Sequence, residues 1–306
     1  MQSRKDPQKL IDGPLISVVM PCYKMGQFIG EALESVGKQT YTNWEVIAVD
    51  DCGPEDGTRE MVEKFAKCYP RQRVEFIRHS ENRRLGATRN TAVEAALGEL
   101  VAFLDPDDIW FPKHLELHLK AHLSSSSVDV TGSSMKVLSQ DGIAGWPDVW
   151  GYSDWEAAYF PSTLSLRSAI NPSVSVIKKV TFEKCGGFDT APELHMVEDY
   201  DLWFRLVSIG ATFKIIPEVT GVYRRHENAA TAPSQRVLSR RRSQELAAKH
   251  YKQWLPSLAF STYCLSERVG HVENRVKWIE KSLAFRIEGG IRRFMKKLLR
   301  LVRIRD

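Results

Sequence analysis

Short β-rich runs alternate with helical spacing through the first third of the chain, and several of those runs end in acidic residues. Ile16–Val19, Trp44–Asp50, Val74–Arg78 and Leu100–Asp105 read as strands. Between them Phe28, Ile29, Ala32, Leu33 and Val36 recur at helical spacing, as do Met61, Val62, Phe65 and Ala66, and a third helix is expected from about Gly86 to Leu97. Strands alternating with helices leave few folds open. They imply βαβ units, a mostly parallel sheet and right-handed crossovers. Ligands of such sheets bind at the carboxyl ends of the strands. Tyr23, Asp50, Asp51, Asp105, Asp107 and Asp108 all stand at those ends.

Beyond Trp110 the pattern changes. A helix over Pro112–Leu123, with proline in its first turn, leads into a mixed region from Asp129 to Arg225. Within it, Gly145–Pro172 crowds Trp146, Trp150, Tyr152 and Trp155 among glycine and proline and reads as a functional loop. A strand is expected over Ser173–Lys178, a helix over Glu198–Ile209 and a strand over Phe213–Val219. From Pro233 onward the chain reads helical and basic. These elements suggest a catalytic domain over residues 14–231, split into 14–110 and 111–231, and a C-terminal helical region over 232–306.

Composition narrows the class. The 306 residues can bury one large α/β core and a smaller appendage. At 43% hydrophobic and 26% charged, the chain reads as an ordinary globular protein. A net charge of +5 favours anionic ligands only weakly and does not indicate nucleic-acid binding. Cys22, Cys52, Cys68, Cys185 and Cys264 are scattered and never form a CxxC pair, which argues for a reducing compartment. The first residues, Met1 to Gly13, lack a signal-peptide pattern, and no apolar run approaches the roughly 20 residues a bilayer span needs. A soluble or peripheral cytoplasmic protein is the expectation.

The acidic clusters carry the chemistry. In Phe103-Leu104-Asp105-Pro106-Asp107-Asp108 an apolar strand ends in three carboxylates. Such crowding is unfavourable unless a cation or donor groups offset it, and hard Mg²⁺ or Mn²⁺ ions take carboxylate oxygens together with substrate phosphates. An acidic turn that caps a helix would look the same. Asp50-Asp51 can accept a hydrogen bond from a base or ribose, or simply mark a turn. Glu198, Asp199 and Asp201 open a helix, where acids also complement the dipole.

Together these stretches resemble the family 2 glycosyltransferases across most of residues 15 to 231. The matching residues are Ser17-Val-Val-Met-Pro21-Cys-Tyr23, Asp50-Asp51-Cys-Gly-Pro-Glu-Asp-Gly57-Thr58, Asn82-Arg-Arg-Leu-Gly86-Ala-Thr-Arg89-Asn90 and Asp105-Pro-Asp107-Asp108. To these add Gly186-Gly-Phe-Asp189, Glu198-Asp199-Tyr-Asp201-Leu-Trp203 and Tyr223-Arg-Arg-His226. The resemblance implies the glycosyltransferase A-type fold and inverting transfer of a sugar from a nucleotide-diphosphate donor, a UDP-sugar, to a glycan or lipid-linked glycan. It implies Pro21 and Tyr23 near the base, with Tyr23 stacked on uracil, and Asp51 reading the ring N–H with Asp50 in support. Arg89 is implied to bond phosphate or Asp51, Asp105 the ribose, and Asp107 a divalent Mg²⁺ or Mn²⁺. His226 matches a histidine that in some members meets the metal or diphosphate. Asp199 matches the catalytic base, with Glu198 and Trp203 expected at the acceptor.

Two positions depart from the family's pattern. Cys52-Gly53-Pro54 replaces its usual Gly-Ser, and Pro54 removes a backbone donor. Cys22 stands where Thr, Val or Ala is commoner. Near the end, Ile291, Phe294, Met295, Leu298, Leu299 and Val302 share one helical face opposite Arg and Lys, so residues 289–306 read as an interfacial helix for anionic lipid at the inner face of the membrane, or as a docked terminal helix. Two rival readings remain, a sugar nucleotidyltransferase and a non-catalytic glycan-binding protein of the same fold.

Overall fold

The computed structural model describes residues 13–139, 148–158, 160–165, 168–226, 241–243 and 245–246. The chain divides into two compact units, residues 1–252 and 253–306, and the second lies outside the described residues. Trp146 and the amphipathic stretch 289–306 also lie outside them. Of the region 232–306, residues 241–243 and 245–246 are described, and they are helical.

The first half builds as the sequence implies. Strands β1 (Ile16–Cys22) and β2 (Trp44–Asp50) are buried at every position, as parallel strands covered by helices on both faces must be. Helix α1 (Ile29–Gly37) buries Ile29, Ala32, Leu33 and Val36, and α2 (Thr58–Cys68) buries Val62 and Phe65. With β3 (Val74–Arg78), α3 (Arg84–Ala95) and β4 (Leu100–Phe103), the parallel order is β3-β2-β1-β4. Register aligns Cys22 with Asp50 and Val19 with Phe103, so Tyr23, Asp51 and Asp105 leave the sheet at one edge. There the turn before α1 is pinned to the loop before α2: Asp56 accepts the Gly26 amide at 2.8 Å, and a Cβ on Gly26 would stand 1.8 Å from the Asp56 carbonyl oxygen.

The second half extends the same sheet. It adds β5 (Ile109–Trp110), α4 (His114–Leu123), β6 (Val130–Ser139), β7 (Val149–Trp150) and α5 (Asp154–Ala158). Then come β8 (Ser175–Lys178), α6 (Lys179–Lys184), α7 (Glu198–Ser208) and β9 (Phe213–Arg225). The order continues β4-β8-β6-β9-β5, with β7 on β6; β8 runs antiparallel to both neighbours and β9 parallel to β6. The two halves therefore share one nine-stranded sheet. The structure differs from the sequence reading in several elements: β6 was not foreseen, nor were the short β5, β7, α5 and α6, and the last strand runs on from Val219 to Arg225.

The reason β6 escaped is chemical. Thr131, Ser133 and Ser134 are buried in it, and a hydroxyl-rich stretch reads as turn. Those hydroxyls meet a row of histidines on α4. His118 bonds Thr131 Oγ1 at 2.7 Å and Ser133 Oγ at 3.2 Å, His114 bonds Thr220 Oγ1 at 2.8 Å, and His122 reaches the Val128 and Val176 carbonyls. The indole of Trp110 stacks on His114 with centroids 4.1 Å apart. Burial pushes all three histidines below the usual imidazole range, His118 to about 3. They are neutral in the folded chain and take up protons near pH 6.5 when it unfolds. Stability from this source is thus complete above about pH 6.5 and falls below it, approaching about 1.4 kcal/mol per pH unit for His118, whose folded value is about 3. Urea midpoints measured at pH 7.5 and 5.5 are expected to drop, and to drop less in His118→Gln.

Candidate active site

At the end of β2, Asp51 accepts hydrogen bonds at both carboxylate oxygens. Oδ1 takes the Arg83 amide and His79 Nδ1, each at 2.8 Å, and Oδ2 takes the Arg84 amide at 2.8 Å. A carboxylate at that place satisfies the open N–H groups that begin α3. Asn82 Nδ2 closes on the Asp51 carbonyl at 3.1 Å. Asp50 accepts Gly53 N–H and pairs with Arg78 at 3.4 Å, yet burial still raises its carboxyl above the usual range. Arg78 also holds the Gly53 carbonyl at 2.8 Å, so the unusual Cys52-Gly53-Pro54 loop is tied down from β3. Beside it Pro21 is buried and Tyr23 is 41% exposed, with the Lys24 ammonium 5.1 Å from its ring centre.

The turn after β4 carries the second group. Burial raises Asp108 well above the usual carboxylate range, with Asp107 and Asp105 adding to the effect. The Asp105 amide bonds Ser173 Oγ at 3.0 Å. Strand β5 pairs antiparallel with β9, Ile109 opposite Val222, and this register carries the end of β9 to the turn. There His226 Nε2 meets Asp107 Oδ2 at 3.0 Å.

The third group is held by Arg89. It is buried, with Nη2 on both oxygens of Asp105 at 2.7 and 3.0 Å and Nη1 on Glu198 Oε1 at 3.0 Å. Glu198 and Asp199 open α7. Burial, with the neighbouring Glu198 carboxylate adding to it, pushes the Asp199 carboxyl up to about 7 against the pull of Arg89. One guanidinium therefore faces three carboxylates, and the shifted acids are raised first by burial and then by their mutual repulsion.

The structure thus gathers Tyr23, Asp50, Asp51, Arg89, Asp105, Asp107, Glu198, Asp199 and His226 around one edge of the sheet. Three sequence expectations need correction. Trp203 is 0% exposed, its indole N–H spent on the Ile170 carbonyl at 3.2 Å and its ring edge-on to Phe213, so it is core and does not line an acceptor site. Glu198 is buried against Arg89 and serves that ion pair instead of an acceptor. Arg89 in turn bonds Asp105 and Glu198 where phosphate or Asp51 was expected. Sequence reasoning also missed His79, which follows β3 at the same edge; extending the strand-end rule to β3 would have found it.

Among the described residues no group of three or more His, Cys, Asp or Glu side chains is arranged to hold a metal ion. Asp107 and His226 nevertheless fit a divalent cation. They present an oxygen and a nitrogen 3.0 Å apart, beside Asp105 and Asp108, whose carboxyls are raised by burial and by their acidic neighbours. Mg²⁺ and Mn²⁺ commonly take one or two protein ligands and complete their shell from phosphates and water.

The glycosyl transferase family 2 model matches residues 17–177. The chain belongs to that family. An Escherichia coli protein, UDP-Glc:alpha-D-GlcNAc-diphosphoundecaprenol beta-1,3-glucosyltransferase, is 33% identical over 135 residues, 44% of this chain and 51% of that one. Two solved structures share the fold. Staphylococcus aureus TarS 1-349 in complex with UDP aligns with a TM-score of 0.56 at 22% identity, over 69% of this chain and 61% of that one. A Pyrobaculum calidifontis mannosyltransferase in complex with GDP-Man and Mn²⁺ aligns with a TM-score of 0.54 at 18% identity, over 87% and 83%. The chain spans about half the length of the glucosyltransferase and less than two thirds of the TarS fragment. This family 2 protein is a glycosyltransferase of the A-type fold.

Two substitutions separate scaffold from site. Trp203→Ala is expected to cost about 3–5 kcal/mol in a urea titration, the usual loss for a buried aromatic. Asp51→Asn replaces an acceptor of three hydrogen bonds by an amide that brings its own donors, and is expected to cost about 1–3 kcal/mol.

Proposed function

We propose that this glycosyltransferase moves a sugar from a UDP-sugar to a hydroxyl of a glycan or lipid-linked glycan, with inversion at the anomeric carbon. The observation that carries the reading is the bridge through Arg89, which brings Asp199 of α7 beside the Asp105–Asp108 turn of β4. A base and a leaving-group site need this proximity, and the two stretches are far apart in the chain.

Tyr23 offers an aromatic face to the base at the ends of β1 and β2. The spare lone pair on Asp51 Oδ2 points to a ring N–H as its further partner. Asp105 meets the ribose while Arg89 fixes its carboxylate. Asp107 and His226 would hold a Mg²⁺ or Mn²⁺ ion, which supplies charge neutralisation for a departing diphosphate. The acceptor hydroxyl attacks the face opposite the leaving nucleotide, and Asp199 takes its proton. A carboxyl raised to about 7 is well matched to that task near neutral pH.

The relatives lend support by what they bind. The E. coli glucosyltransferase takes UDP-Glc to a diphosphoundecaprenol-linked sugar, and the two solved folds hold UDP and GDP-Man with Mn²⁺. A role in polysaccharide biosynthesis at the inner face of the membrane follows as part of the proposal. Among the described residues no helix is long and apolar enough to cross a membrane. A lipid-linked acceptor would instead be met by weak peripheral contact through residues 289–306.

A panel of nucleotide sugars incubated with Mn²⁺ tests the reading. Release of nucleoside diphosphate supports it, whereas pyrophosphate formed from a nucleoside triphosphate and a sugar 1-phosphate would indicate nucleotidyl transfer. Asp199→Asn is expected to lose about 10²–10⁴ in rate with donor affinity unchanged. In the unsubstituted enzyme kcat/KM should rise as pH rises through about 7, because the base acts only when deprotonated. Asp107→Ala should abolish cation-dependent donor binding, as read by calorimetry.

A further inference from the structure

Arg224 lies two residues before His226, at the carboxyl end of β9, and is 7% exposed. Its backbone amide donates to Asp108 Oδ1 at 3.1 Å, and its Nε donates to the Asp107 carbonyl oxygen at 3.1 Å. Its Nη2 donates to Glu31 Oε2 on α1 at 2.6 Å. The guanidinium also stands 5.3 Å from the centre of the Phe28 ring, and the same ring lies 4.7 Å from that of His226. One residue therefore touches the Asp105–Asp108 turn twice and α1 twice.

We propose that Arg224 is a positioning residue for the cation site. It locks the turn that bears Asp107 to the strand end that bears His226, so that both ligands are set before a cation or nucleotide arrives. The inference rests on the reading of Asp107 and His226 as cation ligands. The Arg224 amide and Nε hold the turn through the Asp108 carboxylate and the Asp107 carbonyl, contacts that exist whether or not a cation is bound. A guanidinium suits this task because its fork directs Nε and Nη2 to two partners on two elements at once. An ammonium is a single point and can serve one of them. Nε and Nη2 of Arg224 are turned to the scaffold.

Residues that orient metal ligands typically contribute about 10–100-fold to metal affinity. The experiment measures Mn²⁺ binding by the paramagnetic resonance signal of the free ion, with uridine diphosphate or guanosine diphosphate present, on the full chain. Arg224→Ala is expected to weaken Mn²⁺ about 10–100-fold, with Arg224→Lys intermediate. In turnover assays the Mn²⁺ needed for half-maximal rate should rise by the same factor while the rate at saturating Mn²⁺ recovers. A residue that only stabilises the fold would lower the unfolding midpoint and leave the Mn²⁺ affinity where it was. That result in folded Arg224 variants overturns the proposal. Should Arg224→Ala and Arg224→Lys both fail to fold, Glu31→Gln decides. Glu31 is 57% exposed, and freeing Arg224 from it should weaken Mn²⁺ several-fold; unchanged affinity overturns the proposal. If the unsubstituted chain binds no Mn²⁺ with either nucleotide, the cation reading itself fails and this inference with it.

Discussion

The bridge that Arg89 makes between Asp105 and Glu198 is the contact on which the site depends. It is buried, and it joins residues 109 positions apart in the chain. Buried ion pairs are poor sources of net stability, because desolvation consumes most of the attraction. Their value lies in what they fix. Here a guanidinium fork ties the acidic turn after β4 to the start of α7. Burial, with the Glu198 carboxylate beside it, raises the Asp199 carboxyl to about 7 against the pull of Arg89. On the far side of the turn Arg224 holds Asp108 through its amide and the Asp107 carbonyl through its Nε.

The sheet makes this convergence possible. Parallel strands β1, β2 and β4 deliver Tyr23, Asp51 and Asp105 to one edge, because their registers coincide. The two-residue strand β5 then matters beyond its length. It aligns β9 so that Arg224 and His226 arrive beside Asp107 and Asp108. The polar spine of His114, His118 and His122 against Thr131, Ser133 and Thr220 supports the junction from below. It holds β6 and β9 to α4 through hydrogen bonds where a purely apolar core would be expected.

Much of the fold was legible because its signals are local. The all-apolar runs of β1 and β2 and the helical spacing of α1 and α2 are readable one turn at a time. Carboxylates at strand ends announce themselves by place. What was not legible involves partners that sequence spacing cannot pair. Nothing in Glu198-Asp199-Tyr-Asp201-Leu-Trp203 says which side chains face a substrate, and helical geometry sends Trp203 into the core and Glu198 toward Arg89. Likewise β6 carries hydroxyls that look like a turn until the histidines opposite are known. Arg224 sat in a recognised motif with no evident duty, since an arginine inside a strand could equally be a solvated surface charge.

By itself the sequence determined the α/β class, the sheet edge at which the acidic residues gather, and the family. These follow from patterns within some ten residues and from their order along the chain. Only the tertiary structure decided how the acids are partitioned. Asp51 became a cap for α3, Glu198 an anchor and Asp199 a half-buried acid with a raised pKa, because burial and the position of a single guanidinium, which distant segments supply, govern the charge each carboxylate can hold.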